Sequence, residues 1–88
     1  MGLDTVELIM MVENHYDIEI PDNEAANLAT VQHLVDFVFD TIKHDSNKNP
    51  IEIFEIEVVI REIIEKVTGI PKHKIKMHHA FTNDLGMD

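Results

Sequence analysis

Carboxylates are the one reactive group this sequence has in quantity. Its 88 residues hold seventeen Asp and Glu against seven Lys and Arg, for a formal charge of −10. Asp4, Glu7, Glu13, Asp17, Glu19, Asp22 and Glu24 follow one another near the start of the chain. Carboxylates that serve as a catalytic acid and base need opposed environments that separate their pKa values, and no such contrast is legible here. No loop has the pattern of an EF-hand, so only loose attraction of Ca²⁺ or Mg²⁺ is expected. What remains is electrostatic. The series is either a docking strip that steers in basic surfaces or an ordinary solvated helix face.

The other candidate groups are weaker. His73, His78 and His79 share a stretch with Lys72, Lys74 and Lys76. A zinc site wants three or four converging ligands, and the adjacent His78 and His79 do not easily point at one ion. They read as solvated loop histidines, with His15 and His33 at exposed or boundary helix positions. There is no cysteine, hence no thiolate nucleophile, thiolate metal site or disulfide framework. Ser46 is the only serine and lacks the Gly-x-Ser-x-Gly setting of a hydrolase nucleophile. Three glycines do not make a phosphate-cradling loop. An enzyme is therefore not expected. Nor is a nucleic-acid partner, because phosphate contacts require clustered Lys and Arg. No apolar run approaches the roughly 20 residues of a membrane span, and the start has no signal-peptide pattern. A soluble, cytoplasmic interaction or carrier domain is the expectation.

The elements that would position these groups are helical. Leu3 to Tyr16 is amphipathic, with Leu3, Val6, Met10 and His15 or Tyr16 near one face and Leu8, Ile9, Met11 and Val12 widening it. Pro21 pushes Ile20 toward an extended conformation and ends this segment. Asp22 is placed to cap a short helical turn through Asn27. Thr30 is a candidate N-cap for a helix over Val31 to Ile42, whose Val31, Leu34, Val35, Val38, Phe39 and Ile42 keep helical spacing. Residues 44–52 are mostly polar and read as a linker. In Ile51 to Val67, alternating β-branched residues suggest a strand. Seventeen residues are long for a strand, however, and Ile53, Ile56, Ile60, Ile63, Ile64 and Val67 follow 3, 4, 3 spacing. That spacing predicts a helix, stopped by Thr68-Gly69-Ile70-Pro71. Residues 71–88 read as a loop anchored by Ile75, Met77, Phe81 and Leu85. The fold class is all-α, with three main helices and one short one, and small enough to be a single domain. Charge is uneven. Residues 1–45 carry ten acids and one Lys, residues 46–88 seven acids and six bases.

Leu3-Asp4-Thr5-Val6-Glu7-Leu8-Ile9-Met10, followed by Asp17-Ile18-Glu19-Ile20-Pro21-Asp22, Glu24-Ala25 and Thr30-Val31-Gln32, resembles the back portion of an acyl carrier protein, covering its second, third and fourth helices. The tail, Phe81-Thr82-Asn83-Asp84-Leu85-Gly86-Met87-Asp88, resembles the loop that precedes them, and residues 53–70 resemble the family's first helix. Only the linker lies outside the match. In that family Asp-Leu-Gly-x-Asp runs directly into Ser-Leu-Asp. Joining tail to head here would restore the order, with Met1-Gly2 where the serine stands. The sequence thus resembles a circular permutant opened at the prosthetic-group site. It implies an up-down bundle in which residues 1–43 supply the later helices and residues 53–88 the first helix and its loop. Residues 44–50 can reach roughly 23 Å at about 3.3 Å per residue, enough for helices 8–10 Å apart.

The resemblance carries functional expectations. Family members hold acyl groups on a 4′-phosphopantetheine arm esterified to the serine. Gly2 has no hydroxyl, so the arm cannot attach there, and Asp88 and Leu3 would flank the empty position. Ser46 follows Asp45 but precedes Asn47 rather than Leu, and is a poor substitute. Asp4, Glu7 and Glu13 match acidic positions that dock onto basic patches of synthases, transferases and reductases, and Leu3, Val6 and Met10 match the apolar contacts between them. Val12, Phe37 and Ile64 would line the interior that shelters an acyl chain, but are core residues first and pocket residues only if the core opens. A carrier-inactive domain of fatty-acid or related acyl-chain synthesis, still able to dock partners, is the leading expectation. The alternatives are a domain-swapped dimer, in which residues 53–88 pack on a second copy, and an acidic interaction module with no acyl history.

Overall fold

The computed structural model describes residues 3–87. Three long helices, α1 (Leu3–Tyr16), α3 (Val31–Lys43) and α4 (Ile53–Thr68), are joined by a single-turn α2 (Asp22–Ala25) and followed by a 3₁₀ turn over Lys72–Lys74. No strand forms among the described residues. One antiparallel bridge pairs Thr30 with Ala80. The fold is an all-α bundle, and the ambiguous isoleucine-rich run is a helix. Ile56, Ile60, Ile63 and Ile64 are buried along one stripe of it, a period the two-residue repeat of a strand would not satisfy.

The stops are local. Asp17 takes a left-handed φ of 54°, and the N–H of Ile18 reaches back to the Glu13 carbonyl at 3.2 Å, the closure of a Schellman motif. The Glu13 carboxylate then accepts the Ile20 N–H at 2.8 Å and holds the exit strand against the helix it leaves. Gly69 ends α4 with φ 80° and donates to the Glu65 carbonyl at 2.8 Å. Asp22 does not cap α2 as expected. Pro21 is the cap residue with no side-chain bond, and Asp22 is the first helical residue. The turn instead closes on the Pro21 carbonyl, which accepts from Glu24 and Ala25. Thr30 does cap α3, its hydroxyl accepting the His33 N–H at 3.2 Å.

α4 packs against both α1 and α3. The ends of α1 and α3 meet the linker, through Lys48 near Asp17 and a pocket shared by Tyr16, Ile42 and Ile51. Their starts meet the tail at the other end, so both run antiparallel to α4. The linker closes by ordinary turns, with Asp45 accepting from Lys48 through its carbonyl and from the Asn47 N–H through its carboxylate. The radius of gyration is 12.1 Å, as expected of a compact chain of this length, about 12 Å.

Residues 71–87 do more than wrap the bundle. Ile75, Phe81, Leu85 and Met87 are buried. The tail also completes the start of α3. The Val31 and Gln32 N–H groups, which a helix leaves without internal partners, donate to the carbonyls of His79 (3.0 Å) and Met77 (2.8 Å). Phe81 in turn donates to Ala29 at 3.0 Å.

The α1 face differs from the expectation. At about 100° per residue, Val12 lies half a turn from Leu3 and Met10. Leu8, Ile9 and Val12 enter the core, whereas Leu3, Val6 and Met10 are 85, 38 and 55 % exposed. Leu8, Ile9 and Tyr16 share the side of Val12, and with apolar residues around much of the helix it is packing against α4 that selects this side over the stripe of Leu3, Val6 and Met10.

Candidate functional site

The outward side of α1 combines the Leu3, Val6 and Met10 side chains with the exposed Glu7 and the half-buried Asp4 and Glu13. Between α1 and its exit segment lies an open groove of about 370 Å³. Val6, Ile9 and Met10 form its apolar wall, Ile20 and Pro21 the facing one, and Glu13, Glu19 and Asp22 its charged rim. Three of the expected docking residues, Val6, Met10 and Glu13, therefore meet in one place. Leu3, Asp4 and Glu7 continue the surface toward the helix start without lining the groove. Glu13 also has an internal role, since its carboxylate is committed to Ile20. Asp17 belongs to the opposite end, 3.9 Å from Lys48 and fully exposed. Gly2, the expected prosthetic-group position, and Asp88, expected beside it, lie outside the described residues.

A second cleft of about 300 Å³ opens where the first turns of α1 face α2 and the tail. Thr5, Leu8 and Ile9 form one wall, Ala25 and Leu28 another, and Ala80 to Asn83 the third. The three residues that the resemblance would place around an acyl chain if the core opened lie elsewhere. Val12 and Ile64 are wholly buried core residues, Phe37 is half-buried, and none of the three lines the cleft. Val12 and Ile64 belong to the buried core cluster, and Phe37 packs against it. The signal that would have found the cleft is alanine usage. The chain's four alanines, 25, 26, 29 and 80, all line it. Small side chains there keep the walls apart where larger ones would fill the gap.

The histidines are largely occupied locally. His33 Nδ1 lies 3.3 Å from the Ala29 N–H and His79 Nδ1 3.0 Å from the Lys76 N–H. His44 Nδ1 is 2.8 Å from the Asp40 carbonyl. His78 and His79 meet edge to face with centroids 4.8 Å apart. Among the described residues no group of three or more His, Asp or Glu is placed to hold a metal ion, and no helix is long and apolar enough to cross a membrane. Tyr16 has a clearly perturbed pKa. Burial, helped by the nearby Glu55 carboxylate, pushes its phenol up from 10.0 to about 12. Its hydroxyl is buried without a hydrogen-bond partner among the described residues.

No known family's model matches the chain, and no solved structure matches it. Function must therefore be argued from these residues.

Proposed function

We propose that the chain is a docking domain of the acyl-carrier type in permuted order, which engages basic-surfaced synthases, transferases or reductases of acyl-chain synthesis but carries no acyl group at Gly2. The observation behind the reading is the outward stripe of α1. Large apolar side chains alternate there with carboxylates on the side of the helix away from the core. Single exposed apolar residues need no explanation, but a contiguous apolar set rimmed by charge is the composition of a contact surface. The groove beside it offers a partner's basic side chain both apolar walls and three carboxylates.

Two further features support the permuted order. The tail and the first turns of α1 share the walls of one cleft, so the segments that the resemblance would make consecutive are neighbours in space. That cleft is mostly apolar and within the size range of small-ligand sites, in keeping with an ancestor that sheltered an alkyl chain. With glycine ahead of Leu3-Asp4, the hydroxyl for a phosphopantetheine ester is missing.

Two measurements test the reading. Binding to a ketoacyl synthase of fatty-acid synthesis should weaken as salt is raised. Glu7→Lys and Met10→Ala should each reduce it about tenfold, or 1.4 kcal/mol, while Asp40→Lys on α3 leaves it within about twofold. Equal losses for all three would mean that only net charge is sensed. Intact mass after treatment with a phosphopantetheinyl transferase, coenzyme A and Mg²⁺ should not change. A gain of one phosphopantetheine would overturn the account of Gly2.

A further inference from the structure

The acidic chain contains one stretch of opposite character. Residues 66–83 hold four lysines and three histidines and no carboxylate. The 3₁₀ turn folds part of this stretch against α4, where an open cleft of about 270 Å³ is lined by Val58, Arg61, Lys72, His73, Ile75 and Lys76. We propose that this cleft is a binding site for a small multivalent oxyanion of the diphosphate class.

Arg61 is what separates the cleft from a scatter of surface lysines. Its Nε donates to the Ile75 carbonyl at 3.0 Å across fourteen residues of sequence, which fixes the guanidinium between helix and turn. The side chain is 28 % exposed, so it is desolvated enough to bind strongly and open enough to be reached. A fixed planar donor suits phosphate oxygens better than a mobile one. Lys72, His73 and Lys76 come from a five-residue stretch, and the His73 imidazole makes no hydrogen bond to the described residues. Three carboxylates oppose them, one of which, Glu65, accepts the Lys72 backbone N–H at 3.0 Å and is held there. Glu57 is 3.9 Å from Arg61 and Glu62 is 3.9 Å from Lys72, separations at which partly exposed pairs contribute little. An anion can therefore compete for both cations.

The size of the ligand follows from screening. The whole molecule carries −10, so an acidic protein laid across it would face the remaining carboxylates. At physiological salt charges are felt over about 8 Å. A compact anion in the cleft then responds to the four basic groups and the three carboxylates around it rather than to the acids of α1.

The test is titration of the full chain with inorganic pyrophosphate in Mg²⁺-free buffer at about 0.15 M salt, followed by ¹H–¹⁵N spectra and calorimetry. Saturable binding is expected, with a dissociation constant below about 1 mM and shifts confined to Arg61 and residues 71–76. The double variant Lys72→Gln/Lys76→Gln should weaken it about tenfold. Lys43→Gln/Lys66→Gln removes the same charge elsewhere and should change it less than about twofold. Equal weakening by the two pairs would reduce the effect to diffuse attraction and overturn the proposal. So would an absence of saturation, or a polyglutamate peptide displacing pyrophosphate and binding more tightly. The shift map on the unaltered protein decides the matter if a double variant misfolds. None of these outcomes depends on docking through α1.

Discussion

α1 and the segment 71–87 divide the molecule's work in an unexpected way. The helix has regular hydrogen bonds throughout, yet leaves three large apolar side chains in solvent. The tail has little more than one 3₁₀ turn, yet buries four apolar anchors and supplies two backbone acceptors to α3. Their charges also oppose. Residues 3–16 hold three acids and no Lys or Arg, while residues 71–87 hold three lysines and one acid, Asp84. Regular structure is thus not where all the packing free energy lies. A helix held by its own backbone bonds can spare one side for contacts, whereas an irregular segment stays in place only through what it buries.

Truncating an anchor of the tail is the most direct way to break this comparison. Phe81→Ala should cost about 3–5 kcal/mol and Ile75→Val about 1 kcal/mol in urea unfolding. Met10→Ala and Leu3→Ala should stay within about 0.5 kcal/mol. If Met10→Ala cost as much as Phe81→Ala, the stripe would be core and the docking reading would lose its basis.

The joints between the regions should respond next. Gly69→Ala meets no neighbouring atom, so its cost is the left-handed backbone alone, about 1–2 kcal/mol. Thr30→Ala removes the cap of α3 at about 1 kcal/mol. Because the tail also serves that helix start, the Thr30 and Phe81 substitutions should be non-additive in a double-mutant cycle. Strict additivity would mean that the tail and the cap act independently.

Smaller effects sharpen the electrostatic side. Carboxylates along α1 and its exit repel one another, so the melting temperature should rise with salt or millimolar Mg²⁺. A melting temperature indifferent to both would argue that the acids are too far apart to interact. Tyr16 gives a signature at high pH. Its folded pKa lies above its unfolded value, 10.0 against about 12. The neutral phenol therefore contributes fully below pH 10 and loses its contribution as pH rises through that window. The side chain is only half-buried, so screening keeps the slope shallow. Tyr16→Phe should flatten it, and an unchanged slope in the variant would assign it to other groups.

The helices were legible because they are written in short-range terms. Thr30 before an apolar 3–4 repeat, Gly69 before Ile70-Pro71, and the isoleucine spacing of α4 each need only a few neighbouring residues. The polar linker was legible for the same reason. The core side of α1 was not, since apolar residues surround much of that helix and only packing against α4 selects among them. Val12, Phe37 and Ile64 could be read as core first, but whether a cleft opens beside them could not. That depends on how closely the helices approach.

What the amino-acid order alone determined, then, is the set of helices, their stops, and the separation of acidic from basic stretches, all consequences of local backbone preference and composition. Tertiary structure decided which side of α1 faces water and that the tail, besides its apolar anchors, completes the start of α3. It also decided that four alanines from two distant segments hold open one cleft, and that Arg61 is pinned beside Lys72. Each of these depends on residues far apart in sequence sharing the same few ångströms, and so becomes visible only once the chain has closed on itself.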